Sequence, residues 1–145
     1  MNSPRRRDKR RAIRVACTVP TQIRTRTGWM EVRALDLSRG GVRFSIPADR
    51  VGLAPGAALL EVARKLGTLL PERIECRLGA EGRVERVLRV VRIAAPDRKS
   101  SDITLGCLHD RPLEDEDALV LDVVLPREGE SWDQAERRLE ALKAQ

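Results

Sequence analysis

Between residues 15 and 107 apolar and polar positions alternate mostly with a period of two, and turn-forming residues cut the chain into short runs. Residues 15–19 are apolar and β-branched, and Pro20 marks an edge or a bulge. Residues 22–26 lead into a Thr27-Gly28 turn. In residues 29–35, Trp29, Glu31 and Arg33 fall on one face and Met30, Val32 and Ala34 on the other, as in a half-buried strand. Gly40-Gly41 breaks the chain, after which Val42, Phe44 and Ile46 alternate with Arg43 and Ser45. Residues 74–78, a turn at 79–82 and residues 83–93 read as a hairpin, and Ile103, Leu105 and Cys107 form a last strand. Residues 57–66 fit a helix or a strand; with strands on both sides, a strand is the expectation. After Pro112 the period becomes helical. Glu114, Asp115, Glu116 and Asp117 suit the positive end of a helix dipole, and Ser131-Trp132-Asp133-Gln134 is a capping box. Trp132, Ala135, Leu139 and Leu142 then make one apolar stripe. The pattern predicts a mainly β fold, a small six-stranded antiparallel β-barrel followed by C-terminal α-helices.

Composition narrows this. The chain has 145 residues, of which 41% are hydrophobic, enough for one domain with a core. Charge is unevenly spread. Residues 1–14 hold seven basic residues and one acid, residues 15–108 hold 16 and 10, and residues 109–145 hold 5 and 11. A basic arm (1–14), a barrel (15–108) and an acidic helical segment (109–145) are therefore expected. Such an arm seeks an anionic partner: nucleic acid, an acidic membrane surface, a phosphorylated ligand or the chain's own tail. Trp29, Phe44 and Trp132 are the whole aromatic complement, too few for a base-stacking RNA platform. Cys17, Cys76 and Cys107 show no metal or disulfide spacing and read as reduced thiols, and His109, the single histidine, reads as a surface or packing residue. No run approaches the ~20 apolar residues of a membrane span, so a cytoplasmic protein is expected. No nucleophile–base pair and no Gly-rich nucleotide loop is present, so no enzyme and no cofactor are expected.

Two motifs carry the chemistry. Arg10-Arg11-Ala12-Ile13-Arg14 is an Arg-x-x-x-Arg directly before a strand, and Asp36-Leu37-Ser38-Arg39-Gly40-Gly41 is an Asp-x-Ser-x-x-Gly at a strand corner. Arg6/Arg10 and Arg7/Arg11 also satisfy the first pattern, but only Arg10/Arg14 abuts the apolar strand. In their order and spacing, the two motifs resemble the PilZ family, receptors for the second messenger cyclic di-GMP. The Val- and Arg-rich hairpin, the Leu105-Gly106-Cys107 strand and the acidic helix resemble the family's order as well, over roughly residues 5–122. The resemblance implies a PilZ-type barrel and a ligand site formed by Lys9, Arg10, Arg11, Arg14, Asp36, Ser38, Arg39, Gly40 and Gly41.

The chemistry is consistent with that ligand. A guanidinium matches the O6/N7 edge of guanine bidentately and pairs with phosphate. The Asp36 carboxylate can accept from guanine N1 and N2, and the Ser38 hydroxyl can bond a phosphate or hold the corner. Gly40 and Gly41 are expected to turn the backbone at positive φ and admit the ligand closely. The arm is expected to wrap the ligand and so act as a switch that passes the signal to an effector protein of motility, pilus, polysaccharide or secretion machinery. Lys9, Arg10 and Arg11 match family members that take two intercalated ligands, and the last helix could pair with a copy of itself, so a monomer or a homodimer is expected. Two other readings stand beside this one: a PilZ-like interaction adaptor that binds no nucleotide, and a small basic nucleic-acid-binding domain.

Overall fold

The computed structural model describes residues 14–95 and 101–145. In chain order the strands are β1 (Val15–Ala16), β2 (Pro20–Thr25), β3 (Gly28–Leu37), β4 (Gly41–Pro47), β5 (Ile74–Leu78), β6 (Val84–Ala94) and β7 (Asp102–His109). Helix α1 (Leu59–Leu69) lies between β4 and β5, and α2 (Asp115–Leu121) and α3 (Trp132–Lys143) follow β7. Every pairing is antiparallel. The ring β3-β2-β5-β6-β7-β4 closes because β4 pairs with both β7 and β3, leaving β1 as one extra short strand. Closure removes the open sheet edges that would otherwise invite aggregation.

The inward positions are the apolar ones of the alternation. Ile23, Leu37, Phe44, Ile46, Ile74, Leu78, Leu88, Ile103 and Leu105 are each at most 1% exposed and fill the barrel. Cys76 and Cys107 join them as reduced thiols, and burial pushes each thiol up to about 12, so they stay protonated. Leu113, Ala118, Leu125, Ala135 and Leu139 carry the core into the C-terminal segment.

Three local expectations are corrected. Residues 57–66 are not a strand: the chain is helical over Leu59–Leu69, burying Val62 and Leu66 one turn apart and leaving Leu59 and Leu60 in solvent. Ala63, Arg64, Lys65 and Leu66 are good helix formers, and this local preference overrides the β context. The run 15–19 is split, because β1 stops at Ala16 and β2 begins only at Pro20. The stripe on α3 is shorter than expected: Ala135 and Leu139 are buried, but Trp132 is 42% exposed. The capping box at Ser131 forms as expected, with Gln134 N–H donating to Ser131 Oγ and Ser131 N–H to Gln134 Oε1.

Candidate functional site

Residues 36–41 form the corner between β3 and β4. A β-bulge between Ala34 and Asp36 inserts one residue into β3. The bulge resets the alternation, so that Leu37 takes the inward position after Ala34 and Asp36 is left to face outward. On the opposing strand, Arg43 pairs with Asp36 and its Nε donates to Asp36 Oδ2 at 2.7 Å. The Asp36 side chain is 13% exposed and that of Arg43 43%. Ser38 tightens the corner: its N–H donates to the Gly41 carbonyl at 2.9 Å, and Gly41 N–H donates to Ser38 Oγ at 3.2 Å.

The two glycines do something other than expected. Neither has a positive φ. Gly41 is required by close approach, since a Cβ there would collide with the Cys107 carbonyl oxygen of β7. Gly40 borders open space and is exposed.

The strand that follows the first motif runs to the same corner. Val15 pairs with Leu37 and Ala16 with Asp36, and Arg14 is the residue immediately before this pairing. Asp36 and Leu37 pair with β1 on one edge and with Arg43 and Val42 of β4 on the other. Lys9, Arg10 and Arg11 lie outside the described residues. Arg39 is placed differently from its neighbours. Its Nε and Nη2 donate to the Leu125 carbonyl at 3.0 and 2.7 Å, Nη1 to the Leu113 carbonyl at 3.2 Å, and Nη2 also to Asp115 Oδ1 at 2.6 Å. Its guanidinium holds the C-terminal segment and is 11% exposed.

The register also brings in groups that the sequence did not mark. Arg43 pairs with Gly106 of β7, and Gly106 pairs with Arg92 of β6. Ala16, Asp36, Arg43, Gly106 and Arg92 thus form one row across five strands. Gly106 needs no special backbone, and a Cβ there would meet only Arg92 Cβ at 3.5 Å. A glycine within a strand weakens it and often marks a bulge or a close approach, and the bulge of β6 between Val90 and Arg92 lies opposite Gly106. Leu108 and Val91, 43% and 55% exposed, lie close to Gly106 and Arg92 of this row in sequence.

Further along β7, His109 N–H donates to the Gly40 carbonyl at 2.9 Å. Both ring nitrogens of His109 are buried with no hydrogen-bond partner among the described residues. Burial, with the nearby Arg86 charge second, lowers the imidazole to about 4, so it is neutral at physiological pH. Arg86 is itself buried and paired to Asp117 of α2 at 2.6 Å.

Comparison with known proteins assigns the chain. The family described as PilZ domain matches residues 4–121. The chain belongs to the PilZ family. Similar solved structures include the Bacillus subtilis inhibitor of motility (MotI/DgrA), 18% identical with a TM-score of 0.49, covering 95% of this chain and 54% of that one. The Borreliella burgdorferi PlzA protein, solved in complex with c-di-GMP, is 8% identical with a TM-score of 0.49, covering 96% of this chain and 54% of that one. The chain spans about half the length of these solved chains. No curated protein matches it. PilZ domains are binding modules rather than enzymes. No helix among the described residues is long and apolar enough to cross a membrane.

Two concavities lie away from the 36–41 corner: one of about 440 Å³ between α2 and α3, and one of about 500 Å³ lined by Thr21, Gln22, Glu31 and Arg77.

Proposed function

We propose that this PilZ domain is a receptor for cyclic di-GMP that binds the nucleotide on the 36–41 corner. One observation carries the reading: the chain enters the barrel beside that corner, with Val15 paired to Leu37 and Ala16 to Asp36, and Arg14 immediately precedes this pairing. Guanidinium and carboxylate recognition are then available on one face. Asp36 accepts from guanine N1 and N2, while Arg14 and Arg10 take the phosphates or the O6/N7 edge. Ser38 and Gly41 set the backbone, Gly40 leaves space for the ligand, and Lys9 and Arg11 supply flanking charge. Arg43 holds Asp36 in place, and Gly106 with Arg92 extends the floor. Arg39 contributes by fixing the corner, because its donors are already used on protein acceptors.

In this reading ligand binding changes the conformation of the N-terminal segment, and the signal passes to an effector protein. Titration calorimetry of the full chain with cyclic di-GMP tests the binding. Saturable heat that Asp36→Ala removes is expected; heat at the dilution baseline refutes it and leaves the adaptor reading. Two copies of the ligand bind per chain, and a fitted stoichiometry of one refutes that part alone. The nucleic-acid reading has the basic composition in its favour. It requires duplex affinity that falls steeply with salt and survives Asp36→Ala.

A further inference from the structure

The 36–41 corner is bonded to a distant part of the chain through both backbone and side chain. The Arg39 carbonyl accepts from Leu113 N–H at 2.7 Å and the Gly40 carbonyl from His109 N–H at 2.9 Å. The Arg39 side chain crosses 86 residues of sequence to the Leu125 carbonyl and 76 to Asp115, the first residue of α2. Asp115 is in turn a hub. Its Oδ2 pairs with Arg127 and with Arg138 of α3, and Arg138 makes two more hydrogen bonds to Glu130 at 2.8 Å. Burial pulls the Asp115 carboxyl upward, but the bonds from Arg39 and Arg138 outweigh it and hold the group below its usual range.

We propose that Arg39 couples occupancy of the nucleotide corner to the docking of α2 and α3, which makes the acidic C-terminal helices the part of the molecule that reports ligand. This rests on the cyclic di-GMP reading above and adds the route by which binding leaves the site. The two states are the C-terminal segment docked and released. Only the docked state fixes the Arg39 carbonyl, through Leu113, and the Arg39 side chain, and so holds Ser38 and Gly41 in the geometry that a ligand needs; the Gly40 carbonyl is held by β7 in both states. The ligand therefore binds the docked state more tightly, and a ligand shifts an equilibrium only by such a difference. Linkage makes the effect reciprocal: whatever factor docking adds to ligand affinity, ligand adds to docking. Couplings of this kind are roughly 5–150-fold.

Hydrogen exchange on the full chain, with and without saturating cyclic di-GMP, reads this directly, with calorimetry run in parallel. In the wild type, ligand slows exchange of amides in residues 113–143 by about fivefold or more. In Arg39→Gln the ligand still binds, more weakly by the same factor, and the slowing disappears. Arg39→Lys, which keeps the charge at Asp115 but not the fork to Leu113 and Leu125, restores part of it. Arg138→Gln leaves every Arg39 bond in place and keeps the slowing in α2 while losing it in α3, a second test should Arg39→Gln fail to fold. Saturable binding with unchanged exchange over residues 113–143 in the wild type overturns the coupling, as does full slowing in Arg39→Gln. Absence of saturable heat in the wild type overturns the nucleotide reading, and the coupling with it.

Discussion

Acid should loosen this fold through a single imidazole. His109 ends β7 at the barrel mouth, in line with the inward row Ile103, Leu105 and Cys107. Arg86 and Asp117 face it from β6 and α2, and Asp110 follows it in the chain. Its pKa is lowered from 6.5 to about 4 in the fold, so between those values the unfolded chain binds the extra proton and the folded chain does not. The contribution is fully present above 6.5 and is lost as the pH falls through 6.5 toward 4. Linkage then removes about 2 kcal/mol of stability by pH 5 and about 3 kcal/mol by pH 4. The Glu130 carboxyl, which hydrogen bonds from Arg138 lower from 4.5 to about 2, adds loss in the same direction but at more acidic pH. Comparison with His109→Leu separates the two, since that variant keeps every carboxylate. Because neither ring nitrogen makes a well-formed hydrogen bond among the described residues, the Gly41 backbone being the one polar group near the ring that acts as an acceptor, the variant should match the wild type within about 1 kcal/mol near neutrality. Urea unfolding near neutral pH and near pH 5 measures both. The chain has one histidine, so its imidazole Hε1 resonance reports the titration in the folded state without overlap from another histidine. Equal acid sensitivity in both proteins, or a folded-state titration near 6.5, would refute the reasoning.

Other outcomes follow from the same contacts. Asp117→Ala leaves the Arg86 guanidinium buried without its partner and should cost about 3–5 kcal/mol by urea unfolding; a cost under about 1 kcal/mol would show the pair to be solvated. Gly41→Ala drives a methyl into the Cys107 carbonyl and should lower thermal stability and ligand affinity together; a variant with both intact contradicts the close approach. Gly106→Ala, whose Cβ meets no backbone atom, should keep its melting temperature and lose about tenfold or more in cyclic di-GMP affinity, about 1.4 kcal/mol, by calorimetry. Unchanged affinity would remove Gly106 from the floor.

The strands were legible because a half-buried strand writes its two faces into the sequence as alternation, clearest at Met30, Val32 and Ala34 and at Val42, Phe44 and Ile46. Helix α1 was not. It buries only Val62 and Leu66, and the exposed Leu59 and Leu60 give it the look of an apolar strand run. The corner motif was visible as residue types, yet the role of its glycines was not, since close approach to Cys107 depends on β7, far away in sequence. The Asp36–Arg43 pair requires knowing where β3 bulges, and the Arg43–Gly106–Arg92 row requires the bulge in β6 as well. Arg39 looked like another cation facing the ligand; only tertiary structure shows its donors turned to Leu113, Leu125 and Asp115.

Where the nucleotide sits is decided by amide chemical-shift mapping on the isotope-labelled chain during a cyclic di-GMP titration. The largest saturable shifts should fall on residues 15–16, 36–42 and Gly106, and Arg14→Ala should abolish them. Saturable shifts centred instead on α1 or on the outer face of β2 and β5, with residues 36–42 unmoved, would contradict the assignment of the corner as the binding site.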